Sequence, residues 1–109
     1  MLWKLFYVYI LKCADDSYYT GITNNIDQRL IQHSAGTNST AYTYNRRPVQ
    51  LVWAEMFNDP TIAIAMEKQI KGWSRGKKEA LINEDWEKLM QFSKNYTQFG
   101  KDGLRDKNV

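Results

Sequence analysis

A run of aromatic and β-branched residues near the start of the chain constrains the fold more than any other feature. Over residues 5–12 these side chains alternate in the period-two pattern of a β-strand. Phe6, Val8 and Ile10 share one face, and the residues that alternate with them make the other face equally apolar. We therefore expect a strand whose two faces are both covered. A polar turn and a second short strand over residues 18–22 follow, which predicts a β-hairpin.

Five further elements are predicted from capping residues, apolar spacing and strand-forming runs. In chain order they are a helix that begins after residues 23–25 and ends at Gly36, a strand over residues 49–57, a helix from Pro60 to near Gly72, a helix from Ser74 to Ile82, and a helical turn or two around Trp86. This order predicts an α+β fold in which a small antiparallel three-stranded sheet is flanked by helices. We expect a single domain over residues 1–94 and a flexible polar tail over residues 95–109.

The chain holds one cysteine, Cys13, and one histidine, His33, among its 109 residues. These counts exclude disulfide frameworks, structural zinc sites and iron–sulfur clusters built from this chain alone. They also leave His33 as the only imidazole base for a serine or cysteine triad, and we expect neither triad. The apolar runs are far shorter than the ~18 residues of a membrane span, and the first four residues lack the features of a secretion signal. We therefore expect a cytoplasmic protein without membrane contact.

Basic residues outnumber acidic residues by 15 to 12, and the excess is concentrated in one stretch. Five cations fall within residues 68–78 without an acid among them: Lys68, Lys71, Arg75, Lys77 and Lys78. A run of this kind is usually a solvated helix face. Together with Arg46 and Arg47 from the preceding loop, the same run is able to follow a nucleic-acid backbone through phosphate contacts. Both interpretations stay open, although the lack of a recognition-helix motif disfavours sequence-specific readout.

Residues able to carry chemistry lie on the predicted hairpin and on the two helices that follow it. They are Tyr9, Tyr19, Gly21, Arg29, His33 and Glu67. Arg29 and His33 are four residues apart and therefore share a helix face, while antiparallel pairing is able to bring the two tyrosines together. Each residue also has an ordinary alternative. Tyrosine favours strands, polar residues on a helix face water, and Glu67 is able to pair with Lys71 one turn further along.

The spacing of these residues resembles that of the GIY-YIG nucleases. Tyr7-Val8-Tyr9 stands where the first triplet would be, Tyr19-Thr20-Gly21 stands where the second would be, and Arg29 follows Tyr19 by ten residues, as the family arginine does. The segment Thr43-Tyr44-Asn45-Arg46-Arg47-Pro48-Val49 and the basic helix over residues 71–81 are similar to the small stand-alone bacterial branch. The resemblance covers roughly residues 6–82. Tyr7-Val8 replaces Gly-Ile in the first triplet, and Ile22 stands where some relatives place a lysine.

The resemblance implies metal-assisted hydrolysis of DNA phosphodiester bonds. Glu67 would ligate one Mg²⁺ or Mn²⁺ ion, since these hard cations prefer carboxylate, phosphate and water oxygens. Tyr9 would orient or deprotonate the attacking water with help from Tyr19, Arg29 would brace the scissile phosphate, and His33 would relay a proton. Because a phenol has an unperturbed pKa of about 10, either tyrosine needs nearby positive charge to act as a base at neutral pH. Gly21 is expected to have a structural role.

The expected partner is DNA, with branched, flapped or nicked DNA preferred, and the expected role is DNA repair or recombination. One alternative is a nucleic-acid-binding module that kept the scaffold but cleaves poorly and takes its specificity from a partner protein. A second alternative is a protein-interaction domain that ignores nucleic acid. It predicts that the basic stretch has no ligand whose binding depends on salt.

Overall fold

The computed structural model describes residues 5–99. Its elements are strand β1 (Phe6–Lys12), strand β2 (Tyr18–Thr23), helix α1 (Ile26–Ala35), a 3₁₀ turn (Tyr44–Arg46), strand β3 (Gln50–Phe57), helix α2 (Pro60–Lys71), helix α3 (Arg75–Ile82) and helix α4 (Trp86–Phe99). The predicted α+β class and the ββαβα order are confirmed. The chain divides into two compact units, one up to Trp73 and one from Ser74 onward.

Strand β1 is the central strand of an antiparallel sheet with the order β2-β1-β3. Its position explains the apolar pattern on both of its faces, because residues 8–11 are fully buried. The register places Tyr9 opposite Gly21 of β2 and opposite Ala54 of β3. Helix α2 packs against β1 and β2 and contributes the fully buried side chains of Ala63 and Ile70 to the core.

Local side-chain hydrogen bonds set the helix starts at the predicted positions. The Asn25 side chain accepts from the backbone N–H of Gln28 at 3.0 Å and caps α1. At the other end of α1, Gly36 adopts a left-handed conformation with φ of 68°, which glycine tolerates without a Cβ penalty. Asp59 caps α2, with Pro60 in the first turn. These ends orient α1 and α2, the two helices that carry the predicted site residues.

In the described part of the second compact unit, α3 packs against α4. Ser74 caps α3 by accepting from the backbone N–H of Lys77 at 3.2 Å. Helix α4 runs to Phe99, so the first five residues of the predicted tail are helical. The polar composition of residues 95–109 predicts a tail. The sequence also places Phe92, Tyr96 and Phe99 at an apolar helical spacing, which favours continuation of the helix. The remaining tail residues, 100–109, lie outside the described part of the chain, and the extent of the domain over residues 1–94 stays a prediction.

None of the helices within residues 5–99 combines the length and apolar content needed to cross a membrane.

Candidate active site

Tyr9 and His33 form the centre of the site. Tyr9 projects from the central strand and is 0% exposed, and its phenol oxygen lies 3.0 Å from Nε2 of His33. His33 is buried on α1, and its ring is edge-on to that of Tyr9, with 6.0 Å between ring centroids. The structure therefore brings together a phenol and an imidazole that are 24 residues apart in sequence.

Gly21 makes room for the Tyr9 phenol. It is the cross-strand partner of Tyr9 on β2, and a Cβ atom built at this glycine would lie 2.5 Å from the phenol oxygen and 2.6 Å from Cζ. These separations are much shorter than a van der Waals contact. Any other residue at Gly21 would displace the phenol or the strand, which supports the structural role predicted for this glycine.

Tyr19 completes an aromatic group with Tyr9 and His33, which we call the tyrosine–histidine cluster. Its ring centroid lies 6.3 Å from that of Tyr9 and 5.3 Å from that of His33. The Tyr19 ring also stacks on Tyr42, with 5.9 Å between centroids and 21° between planes. Tyr42 is not one of the residues that the sequence predicts for the site. It lies in the loop between α1 and β3 (residues 36–49, here the α1–β3 loop), where no periodic signal marks it.

Arg29 supplies positive charge to the cluster from one turn before His33 on α1. Burial raises the pKa of Tyr9 to about 12, and the charges of Tyr19 and Glu67 act in the same direction. The charge of Arg29 and a hydrogen bond from its side chain lower the pKa of Tyr9. Burial, followed by the charge of Arg29, lowers the pKa of His33. The phenol and the imidazole are therefore both neutral at neutral pH.

Glu67 lies on α2 and is 8% exposed. One of its carboxylate oxygens, Oε2, accepts from the Nζ ammonium of Lys71 at 2.7 Å. The bond to Glu67 raises the pKa of Lys71, and the charge of Tyr19 contributes in the same direction. Because Glu67 raises the pKa of Tyr9 and Tyr19 raises the pKa of Lys71, the ion pair belongs to the same neighbourhood as the tyrosine–histidine cluster. Lys71, predicted as part of a basic surface, is thus also a neighbour of the candidate site.

An open cavity of about 310 Å³ lies beside this cluster. Tyr19, Arg29 and His33 line it together with the end of α1 and part of the α1–β3 loop. Tyr9 and Glu67 are not among its lining residues. The cavity therefore opens onto three of the five predicted catalytic and metal-binding residues and not onto the other two.

Arg46 and Arg47 fasten the α1–β3 loop. Arg46 donates from Nε to a carboxylate oxygen of Asp15 at 3.0 Å and from Nη1 to the backbone carbonyl of Tyr42 at 2.7 Å. Its guanidinium lies 3.9 Å from the centroid of the Tyr42 ring. Arg47 makes a comparable pair of contacts with the carbonyl and ring of Tyr44. Both arginines thus hold aromatic residues near the cluster, and their predicted contact with nucleic acid stays a prediction.

The basic stretch over residues 68–78 is divided between the two compact units. Lys68 and Lys71 lie on α2, both exposed, whereas Arg75, Lys77 and Lys78 lie on α3. Arg75 forms an ion pair with Glu79 at 3.1 Å. Burial lowers the pKa of Lys77 and of Lys78. The role of these five cations in binding nucleic acid stays a prediction.

Thr43 is a further residue of the site, which the sequence does not single out as functional. It is 1% exposed, and its hydroxyl oxygen lies 2.7 Å from Nδ1 of His33. Both nitrogens of the imidazole therefore have a partner. In the sequence, Thr43 is marked by its position at the start of the segment that continues to Arg46-Arg47-Pro48. That pattern by itself assigns no role to the threonine.

Comparison with known proteins identifies the family. The family model described as the GIY-YIG catalytic domain matches residues 5–80. The chain belongs to the GIY-YIG family. This is a nuclease family, and the likeness to small proteins built mainly of this domain is confirmed. The match covers the tyrosine–histidine cluster, Arg29 and Glu67.

Relatives of this GIY-YIG domain are similarly small. The chain is 49% identical to a UPF0213 protein of Staphylococcus saprophyticus over 78 residues, which cover 72% of this chain and 94% of that protein. It is 44% identical to a UPF0213 protein of Natronomonas pharaonis over 79 residues, covering 72% of this chain and 92% of that protein. A solution NMR structure of a protein from E. faecalis has 33% identity and a TM-score of 0.54, covering 74% of this chain and 85% of that one.

Proposed function

We propose that this GIY-YIG domain is a divalent-metal-dependent endonuclease that hydrolyses DNA phosphodiester bonds. The observation that carries the proposal is the buried hydrogen bond between Tyr9 and His33, which couples a potential base to a proton acceptor. A guanidinium, a second phenol and a carboxylate surround this pair. Phosphate hydrolysis needs an activated water and positive charge against the negative charge of the transition state.

Glu67 is the residue proposed to hold one Mg²⁺ or Mn²⁺ ion. Within the described part of the chain no three His, Cys, Asp or Glu side chains gather as a metal-binding group. A single carboxylate is nevertheless a suitable donor, because Mg²⁺ keeps several waters and often uses one or two carboxylates together with substrate phosphate. The ammonium that lies 2.7 Å from this carboxylate is evidence that it accepts a cation. When bound, a divalent ion would supply positive charge to the phosphate and its leaving oxygen.

Tyr9 is proposed to remove the proton of the attacking water. The O–H bond of the neutral phenol breaks as its proton passes to Nε2 of His33, 3.0 Å away, and the resulting phenolate takes a proton from water. The hydroxide formed then attacks phosphorus while the P–O bond to the leaving sugar oxygen breaks, and that oxygen takes its proton from solvent. Arg29 offsets part of the rise that burial causes, since its charge and its hydrogen bond both lower the pKa of Tyr9. His33 lines the open cavity, so its proton is able to leave to solvent.

Arg29 and Tyr19 are proposed to position the scissile phosphate. Both line the open cavity beside the catalytic pair. A guanidinium offers planar, bidentate donors that match phosphate oxygens. Tyr19 carries a hydroxyl that is able to donate to a phosphate oxygen. A phosphate held in this cavity would lie beside His33, which also lines it.

The proposed substrate is branched, flapped or nicked DNA, and the proposed role is in repair or recombination with a partner protein as one source of specificity. Support comes from the absence of a recognition helix among the motifs of the sequence, which favours recognition through the backbone. Exposed Lys68 on α2 and the cations of α3 are proposed to contact phosphates.

A catalytically weak nucleic-acid-binding module is the second candidate function. Two observations favour it: the pKa of Tyr9 is raised to about 12, and Glu67 is already paired with Lys71. The first makes the phenolate scarce at neutral pH, and the second places a competitor at the proposed metal ligand. This candidate predicts DNA binding that depends on salt without turnover.

Cleavage of matched substrates tests the proposal. The purified chain is incubated with supercoiled plasmid and with linear, nicked, flapped and four-way oligonucleotides of the same sequence, in Mg²⁺, Mn²⁺ or chelator. Metal-dependent cutting that disappears in Tyr9→Phe and Glu67→Gln supports the endonuclease. Tyr7→Phe on the same strand and exposed Glu55→Gln on β3 serve as controls that retain activity. Tight binding without cutting supports the binding module, and the absence of salt-dependent binding contradicts both.

A further inference from the structure

Thr43 is the third member of a buried chain of polar groups. Its hydroxyl lies 2.7 Å from Nδ1 of His33, whose Nε2 lies 3.0 Å from the Tyr9 phenol oxygen. Thr43, His33 and Tyr9 are respectively 1%, 9% and 0% exposed. They come from the α1–β3 loop, α1 and β1, so the chain of polar groups is formed only by the tertiary fold. Such a buried, fully partnered arrangement fixes the orientation of each member.

The partners of these three groups favour one form of the imidazole. A neutral imidazole carries a proton on one nitrogen and offers the other as an acceptor. The phenol oxygen of Tyr9 already accepts a hydrogen bond from the Arg29 side chain, which favours donation of its own O–H to Nε2. In that arrangement Nδ1 carries the proton and donates to the Thr43 hydroxyl oxygen. If the proton were on Nε2 instead, the N–H would face the O–H of a neutral phenol, which would have to turn its proton away.

The position of the Thr43 hydroxyl is itself fixed by the loop. The backbone N–H of Arg46 donates to the carbonyl of Thr43 at 3.0 Å, closing the 3₁₀ turn that follows. The Arg46 side chain ties the same turn to Asp15 in the β1–β2 connection. The loop thus holds the hydroxyl against His33 from outside the helix that carries the imidazole. The charged or titratable groups that face His33 are Tyr9, Tyr19 and Arg29.

We propose that Thr43 is a positioning residue, which holds His33 as the Nδ1–H tautomer so that Nε2 is free to accept the proton of Tyr9. This inference rests on the proposed function for its catalytic meaning. The tautomer itself is a property of the folded protein without substrate. The residue acts through His33 and does not touch the reacting atoms.

The protein contains a single histidine, so its imidazole nitrogens give unambiguous NMR signals. Two-bond ¹H–¹⁵N correlation spectra of the full chain at pH 7.5 to 8.5 reveal which nitrogen carries the proton. We expect a protonated Nδ1 and an unprotonated Nε2 in the wild-type protein. A wild-type spectrum with the proton on Nε2 would overturn the proposal, whatever the variants show.

Two variants separate the hydroxyl from the shape of the side chain. Thr43→Ser keeps the hydroxyl and is expected to keep the Nδ1–H signal, whereas the isosteric Thr43→Val removes the acceptor and is expected to give a mixed or Nε2–H population. Backbone amide spectra establish that both variants are folded. If Thr43→Val is folded and retains the wild-type tautomer, Thr43 does not position His33.

Cleavage rates separate this inference from the proposed function. With an active enzyme we expect Thr43→Val to lower the rate constant for cleavage at least tenfold and to shift its pH profile, while Thr43→Ser stays within about threefold of wild type. If the wild-type chain cleaves nothing but the tautomer responds as expected, the proposed function fails and the positioning role stands. If cleavage occurs and Thr43→Val matches wild type in rate and tautomer, the proposed function stands and this inference fails.

Discussion

The ammonium of Lys71 lies 2.7 Å from a carboxylate oxygen of Glu67, so the residue proposed to hold a metal ion is already paired with a cation of its own helix. The two charges are one turn apart on α2, and the carboxylate is the more buried partner, with 11% of its side chain exposed against 53% for Lys71. A divalent ion entering this site must replace or push aside the ammonium. Lys71 is therefore a competitor for the proposed metal.

Replacing Lys71 by methionine is expected to strengthen metal binding. An ion pair with one exposed partner contributes about 0.2–1 kcal/mol, so its removal should lower the dissociation constant for Mn²⁺ by roughly 1.4-fold to fivefold. Water proton relaxation during a Mn²⁺ titration measures this constant without any cleavage assay. Lys68→Met, on the exposed part of the same helix, is the matched control and should leave it unchanged. Equal Mn²⁺ binding by Glu67→Gln and wild type would show that Glu67 is not the ligand.

The space at Gly21 predicts a second outcome. Gly21→Ala would place a Cβ 2.5 Å from the Tyr9 phenol oxygen, so the ring or strand β2 must shift. Overpacking of this kind costs about 1–3 kcal/mol in the free energy of unfolding. Urea denaturation measures the decrease, and the hydrogen bond between Tyr9 and His33 should weaken with it. The control is Gly72→Ala, since a Cβ there would meet its nearest backbone atom at an ordinary 3.6 Å. Equal stability of the two variants would contradict the close approach at Gly21.

The order of strands and helices could be predicted because its signals are local. Asn25, Asp59 and Ser74 cap their helices through hydrogen bonds to residues two or three positions away, and such spacings are visible in a sequence. Burial of both faces of β1 could also be predicted from the sequence, because the residues of this strand are apolar on both faces. The position of the strand in the middle of the sheet is the physical reason for that pattern.

The partners of His33 could be predicted only in part. Tyr9 is marked by its motif, but Thr43 and Tyr42 reach the cluster through an irregular loop that has no repeating pattern. Their positions depend on Asp15, which is far away in sequence and holds the loop through Arg46. From the sequence, the Glu67–Lys71 pair and a metal-binding role for Glu67 are alternatives. In the structure the pair forms and the carboxylate still lies close enough to raise the pKa of Tyr9.

Alkaline pH should destabilise the protein through Tyr9. Its pKa is about 12 in the folded state, against about 10 in an unfolded chain. Between these values the unfolded state releases the phenolic proton and the folded state keeps it, so stability is complete below about pH 10 and falls as pH rises toward 12. The full effect is on the order of 2–3 kcal/mol.

Chemical denaturation at pH 9, 10 and 11 measures this slope. Tyr9→Phe removes the titrating group and should flatten the decline relative to wild type, although other groups continue to titrate in both. Tyr7→Phe, on the same strand, is expected to decline as wild type does. If Tyr9→Phe and wild type lose stability in parallel over this range, the Tyr9 phenol does not keep its proton in the folded protein.

Arg46 and Lys68 should affect DNA binding in different ways, although both carry positive charge. The Arg46 guanidinium donates to Asp15 and to the Tyr42 carbonyl, so we expect Arg46→Gln to loosen the α1–β3 loop without removing a phosphate contact. Lys68 is exposed on α2, and Lys68→Gln removes an ammonium that is proposed to bind phosphate.

Each protein cation that no longer neutralises a phosphate reduces the steepness of log K against log salt by about 0.7 to 0.9. Fluorescence anisotropy with labelled DNA over a range of salt concentrations measures this steepness. We expect a shallower dependence for Lys68→Gln, and weaker binding with an unchanged dependence for Arg46→Gln. A shallower dependence for Arg46→Gln would show instead that this guanidinium leaves Asp15 and binds phosphate when DNA is present.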